Sequence, residues 1–185
     1  KILTKKKVDL SHISFILSDE RLSEDFKKYS NAYKISKNLI SKVEKNRNPK
    51  FICPQFTSKD SYTDIVKDFK FKIPDLLDIA VLGVGEDGHI ASIFPNNNSE
   101  LIYESQPLII STNKNEEFKR ISFNLKSICK IPRIIFVITG KNKGELILNL
   151  LGKKNKLKNT PFFNVLHKSN SKINILYNKK LITEL

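Results

Sequence analysis

Tryptophan and methionine are absent from the 185 residues, and cysteine occurs only twice, at Cys53 and Cys129. Two thiols so far apart supply neither a disulfide framework nor a cysteine-based metal cluster, so a reducing compartment, the cytoplasm, is expected. Apolar runs are short, and none approaches the roughly 18 residues that span a bilayer. The opening residues, Lys1-Ile2-Leu3-Thr4-Lys5-Lys6-Lys7, lack the apolar core and small-residue cleavage site of a secretory signal. No membrane partner is expected. Arginine is scarce as well: Arg21, Arg47, Arg120 and Arg133 are the only four among 33 basic residues. A net charge of +14 invites a nucleic-acid reading, because cationic surfaces gain affinity by releasing counterions. The lysines, however, are scattered among asparagines and isoleucines, without the interleaved aromatics of a single-strand binder. That argues for compositional bias and against a nucleic-acid partner. The length suits a single domain, 1–185, with a real core.

What is present alternates between two hydrophobic periods. Residues 12–17 read as a first strand ending at Ser18-Asp19-Glu20-Arg21. Ser30 is placed to cap a helix carrying Ala32, Ile35, Leu39, Ile40 and Val43 on one face, closed by Asn48-Pro49. A second helix is expected over 60–69, with Tyr62, Ile65, Val66 and Phe69 inward. Strands are expected at 77–82, 107–111, 120–123, 133–138 and 173–177, with a helix after Thr139-Gly140 that carries Leu146, Ile147, Leu150 and Leu151. A short turn of helix should follow His89 and stop at Pro95, and the lysine-rich stretch 152–160 reads as a loop. Strands alternating with helices argue for an α/β fold of three layers, α/β/α, around a mostly parallel sheet.

The most informative stretch runs from Leu76 to His89. An apolar run of strand length meets Gly83 and Gly85, then Glu86, Asp87, Gly88 and His89. An α/β fold delivers polar side chains to the carboxyl end of its sheet in this way, where such folds bind ligands. Gly83, Gly85 and Gly88 satisfy the dinucleotide spacing G-x-G-x-x-G, and Glu104 lies near the distance of a ribose ligand. Glu86 and Asp87 would nevertheless put carboxylates where a pyrophosphate must sit, and Pro95 leaves the next helix too short to aim a dipole. The spacing is therefore read as coincidence.

His89 suits proton transfer near neutral pH, with Asp87 or Glu86 shaping the turn or orienting the ring, although a histidine there can equally cap a buried turn. His12, at a strand start, and His167, in a polar turn, read as structural or exposed. Asp19-Glu20-Arg21 should share the sheet edge with His89. Arg120 opens a strand and Lys143 a helix. Arginine is the better bidentate phosphate ligand and lysine the better point charge.

Together these segments resemble the 6-phosphogluconolactonase family, whose fold is shared with the glucosamine-6-phosphate isomerase/deaminases. The matching stretches keep the family's order: Phe15-Ile16-Leu17-Ser18-Asp19-Glu20-Arg21; Ser30-Asn31; Asp78 through Gly88-His89-Ile90-Ala91-Ser92-Ile93-Phe94-Pro95; Arg120-Ile121-Ser122-Phe123; Thr139-Gly140 with Lys143; and Thr160-Pro161. The resemblance covers nearly the whole chain, and the segment ending Gly-His-Ile-Ala-Ser-Ile-Phe-Pro is the specific one. It implies a Rossmann-like fold and hydrolysis of 6-phospho-D-glucono-1,5-lactone to 6-phosphogluconate in the oxidative pentose phosphate pathway, with no metal or other cofactor. By the same resemblance His89 activates water with Asp87 in support. Arg21, Arg120 and Lys143 hold the phosphate, and Asp19 and Asn31 join the pocket.

Two features favour the lactonases over the deaminases. Arg21 stands where the deaminases typically have a tyrosine, and Phe94 stands where they carry a catalytic glutamate, five positions beyond the histidine. Leu22-Ser23 and Ala32 depart from the usual Val-Pro and aromatic residues. The family also opens with a strand, a glycine-rich Ser-Thr phosphate loop and a helix, for which these residues offer no counterpart. That implies either a longer chain, for instance one fused to glucose-6-phosphate dehydrogenase as in some organisms, or a crippled site. A deaminase-like isomerase and a non-catalytic phosphosugar-binding domain are the alternatives.

Overall fold

The computed structural model describes residues 8–95, 107–113, 116–140, 143–153 and 156–178. In chain order the strands are β1 (Ser14–Ile16), β2 (Asp19–Arg21), β3 (Lys50–Ile52), β4 (Ile79–Gly83), β5 (Leu108–Thr112), β6 (Lys119–Phe123), β7 (Arg133–Ile138) and β8 (Lys172–Tyr177). Between them lie helices α1 (Phe26–Tyr29), α2 (Asn31–Asn38), α3 (Tyr62–Lys72), α4 (Leu125–Ile128), α5 (Gly144–Leu150) and α6 (Pro161–Lys168).

The strands with the most β-branched residues form the centre, because such side chains are stiff and pack well on a pleated surface. In β7, Ile134, Phe136 and Ile138 are fully buried. β7 lies parallel between β4 and β8, with Leu82 opposite Phe136 and Phe136 opposite Ile175. β1 pairs in parallel with β3, Phe15 opposite Phe51. The third sheet, β2-β6-β5, is antiparallel. The fold is thus mixed α/β with mostly parallel sheets, as the alternating pattern suggests.

α6 closes the core from one side. Pro161 at its first position fits the fixed φ of proline, and Phe162 stacks edge-on against Phe136 at 4.8 Å between ring centroids. α3 is capped by Ser61, whose hydroxyl accepts from the Asp64 amide, and it buries Ile65 and Phe69. α2 is capped by Ser30 as expected. It ends at Asn38, however, and Ile40–Lys42 form a separate 3-10 turn, because Leu39 leaves helical backbone geometry at φ −125°.

Four local expectations need correction. Residues 90–95 form no helix: Ile90 bridges to both Val84 and Ile93, and Ala91 takes a positive φ of 48°, so they run as linked turns. His167 lies in the last turn of α6, stacked on Phe163, and not in a polar turn. His12 sits in an exposed turn ahead of β1. Asp19-Glu20-Arg21 is not a loop following the first strand but a paired strand of its own, with Glu20 only 1% exposed. Glu104 lies outside the described residues. No described helix is long and apolar enough to cross a membrane.

Candidate active site

At the carboxyl ends of β1 and β4 a cavity of about 390 Å³ opens to solvent. Arg21, Asn31, Asp19, Arg120, Lys143 and His89 all line it, together with the backbone turn at 82–85. The chain pattern thus brings six of the seven expected site residues to one space. The seventh, Asp87, stands behind His89.

The histidine wall is a tight loop. The Gly85 amide donates to the His89 carbonyl at 2.8 Å, and the Gly88 amide donates to the Gly85 carbonyl at 3.1 Å. Asp87 Oδ1 accepts from the His89 amide at 3.1 Å and lies 2.6 Å from its Nδ1. In the tautomer that donates Nδ1–H to the carboxylate, the ring lone pair falls on Nε2, the arrangement a general base uses. The His89 side chain is 33% exposed, which rules against a buried turn cap.

The glycine spacing now has a local cause. A Cβ on Gly85 would collide with the His89 ring, and one on Gly88, at φ +81°, would collide with Thr160. The Gly88 carbonyl also accepts from the Phe162 amide, so this loop rests on the start of α6. Gly85 makes room for the imidazole and Gly88 for the Thr160 side chain.

The opposite wall is braced from behind. Glu20 Oε1 accepts from the Arg21 and Asn31 amides, both at 2.7 Å, while Oε2 accepts from the Ala32 amide at 2.7 Å and the Ser30 hydroxyl at 2.9 Å. A buried carboxylate at the start of α2 complements the helix dipole and uses the free amides there. Through it β2 is tied to α2, and Arg21 is brought against Asn31. Arg21 Nη1 donates to Asn31 Oδ1 and to the Tyr29 carbonyl, while its buried Nε has no partner among the described residues. Asn31 Nδ2 in turn donates to the Asp19 carbonyl at 3.0 Å.

Arg120 is 6% exposed and is not a free cation. Glu116 accepts from its Nε at 2.8 Å and from Nη2 at 2.6 Å, and Asp19 Oδ2 lies 4.0 Å from Nη1. Phe94 lies between the two walls. Its ring centroid is 4.9 Å from that of His89 and 5.5 Å from the Arg120 guanidinium carbon. Lys143 stands at the N-cap position of α5, beyond Thr139-Gly140, with no capping hydrogen bond from its side chain.

The sequence reading missed three site residues. Fully buried Ser92 donates to Asp19 Oδ2 at 2.7 Å, linking the turns after His89 to β2. Glu20 stands out in the sequence only as part of Asp19-Glu20-Arg21, and neither it nor Glu116 reads as a support there, because an acid's sequence neighbours do not reveal the donors that will surround it. Neither Cys53 nor Cys129 lines the cavity, and burial raises both thiols above the usual range, which disfavours the reactive thiolate. No group of His, Cys, Asp and Glu among the described residues could hold a metal ion.

Residues 1–174 match the sequence family described as glucosamine-6-phosphate isomerases/6-phosphogluconolactonase. The chain belongs to this family. Among its relatives, the 6-phosphogluconolactonase of Helicobacter pylori strain J99 is 28% identical over 166 residues, covering 88% of this chain and 70% of that protein. The bifunctional glucose-6-phosphate 1-dehydrogenase/6-phosphogluconolactonase of Plasmodium falciparum is 30% identical over 180 residues, which cover 78% of this chain and only 20% of that protein. A solved 6-phosphogluconolactonase from Trypanosoma cruzi superposes with a TM-score of 0.76 at 18% identity, covering all of this chain and 78% of that one. At that identity the likeness is one of fold. The chain therefore spans a fifth of the Plasmodium relative and less than four fifths of the other two.

Proposed function

We propose that the cavity hydrolyses 6-phospho-D-glucono-1,5-lactone to 6-phosphogluconate. The observation that carries this reading is the shared cavity, lined by His89, whose Nδ1 lies 2.6 Å from Asp87, and by the cations Arg21, Arg120 and Lys143. The names of the Helicobacter and Plasmodium relatives support the substrate.

In this reading His89 Nε2 takes a proton from water as the water oxygen bonds to the lactone carbonyl carbon. The carbonyl electrons move onto oxygen, and their return breaks the bond from that carbon to the ring oxygen. The imidazolium gives its proton to the departing alkoxide. The new carboxylic acid then ionises to solvent. Asp87 holds the ring and favours the imidazolium that forms in between. General-base help of this kind contributes roughly 10² to 10⁴ in rate. The cations supply binding: each charge-assisted bond contributes about 1.5–3 kcal/mol net, and a few of them suffice for micromolar affinity. An ester ring with a competent leaving alkoxide needs no Lewis acid. Phe94, packed between His89 and Arg120, has no proton to move, which weighs against a deaminase. A cytoplasmic setting, a place in the oxidative pentose phosphate pathway and fusion to a dehydrogenase belong to the same proposal.

Lactone hydrolysis, corrected for its spontaneous rate, tests it. The protein is expected to accelerate the reaction, and His89→Ala should lower turnover by roughly 10² to 10⁴ while leaving 6-phosphogluconate affinity within about threefold. Turnover surviving within tenfold would remove the general base. Phosphosugar binding without hydrolysis by the unaltered protein would favour a binding domain.

A further inference from the structure

Arg120 is held more elaborately than a phosphate ligand requires. Its guanidinium carbon lies 5.5 Å from the Phe94 ring centroid and 5.9 Å from that of Phe118. Glu116, four residues earlier in the turn before β6, clasps the Nε and Nη2 edge. Only Nη1 is left to the remaining neighbours, Ser92 Oγ at 3.4 Å and Asp19 Oδ2 at 4.0 Å. Arg120 and Asp19 line the cavity, whereas Glu116 does not.

Burial sets the roles within this pair. The Arg120 side chain is 8% exposed and that of Glu116 is 24%. A guanidinium buried to that degree needs a carboxylate partner, and a two-point contact fixes its plane as well as its charge. We infer that Glu116 is a positioning residue, which clasps Arg120 from outside the cavity and presents Nη1 to the phosphate of the substrate. This rests on the reading of the cavity as a phosphosugar site. Glu116 touches no substrate; it acts through Arg120.

The test compares Glu116→Gln with the unaltered protein in three titrations followed by calorimetry or NMR: 6-phosphogluconate, inorganic phosphate and unphosphorylated gluconate. Glutamine keeps the shape but turns an NH₂ group toward a guanidinium edge that needs acceptors. Affinity for both phosphorylated probes should fall about tenfold, the scale of one charge-assisted bond, and gluconate affinity should not change. In lactone hydrolysis the same variant should raise KM with kcat held within about twofold. In an Arg120→Ala background, Glu116→Gln should have no further effect on phosphate affinity, because the group it positions is gone. Tighter phosphate binding by Glu116→Gln would overturn the inference and make Glu116 a competitor for the anion. Unchanged binding would reduce the pair to a surface contact. If the unaltered protein binds neither phosphorylated probe, the reading of the cavity falls first and this assignment falls with it.

Discussion

Asp19, Glu20 and Arg21 stand in a strand whose middle carboxylate is 1% exposed and receives four hydrogen bonds. Across the cavity, Asp87 and His89 stand on a loop with 53% and 33% of their side chains exposed and a single carboxylate–imidazole contact. The same small chain has spent its buried polar contacts on one wall and left the other wet. Charged groups shielded from water interact more strongly and keep a fixed direction, which suits a wall that must recognise a phosphate. A histidine that activates water gains from facing solvent, because water is the second reactant. In the proposed division, the braced wall binds and the wet wall reacts.

Removing the brace should have the larger effect on the folded protein. Glu20→Gln sets an amide NH₂ against two of the four converging donors, because each carboxylate oxygen accepts from two, a loss of about 2–3 kcal/mol. Thermal unfolding should register it as a Tm lower by roughly 5–10 °C. A Tm within 2 °C of the unaltered protein's would mean that the two walls are held alike and the contrast is only one of exposure. The corresponding change on the wet wall is smaller and of another kind. Asp87→Asn keeps a hydrogen-bond partner for the His89 ring but removes the charge that favours the imidazolium. We expect turnover to fall about tenfold and Tm to stay unchanged. An Asp87→Asn protein that loses stability and keeps its turnover would reverse the proposed division.

Much of this was legible in the sequence, for physical reasons. β7 announces itself because β-branched side chains dominate it, and Leu76 to His89 because a buried strand ending in glycines has few uses. β3 gave no signal: three residues, Lys50–Ile52, are too few to show a period. α6 did carry a signal, Thr160 before Pro161 at a helix start, but it was read only as part of the family resemblance. The turns after His89 were misread as helix because Ile90 and Ile93 are spaced as on a helix face, whereas the structure bridges them to each other. At the site, the residue types that move protons or carry charge were visible, and their supports were not. Ser92 meets Asp19 across 73 positions of chain, and the four donors of Glu20 come from its neighbour and from Ser30, Asn31 and Ala32. Such contacts exist only once β2, α2 and β6 have come together.

The division of labour between the walls is tested most directly by a crystal structure of the protein with 6-phosphogluconate. The account predicts the phosphate beside Arg21, Arg120 and Lys143, and the C1 carboxylate within hydrogen-bond distance of His89 Nε2. A phosphate seated against His89, or a sugar acid bound with its carboxylate on the arginine wall, would contradict it.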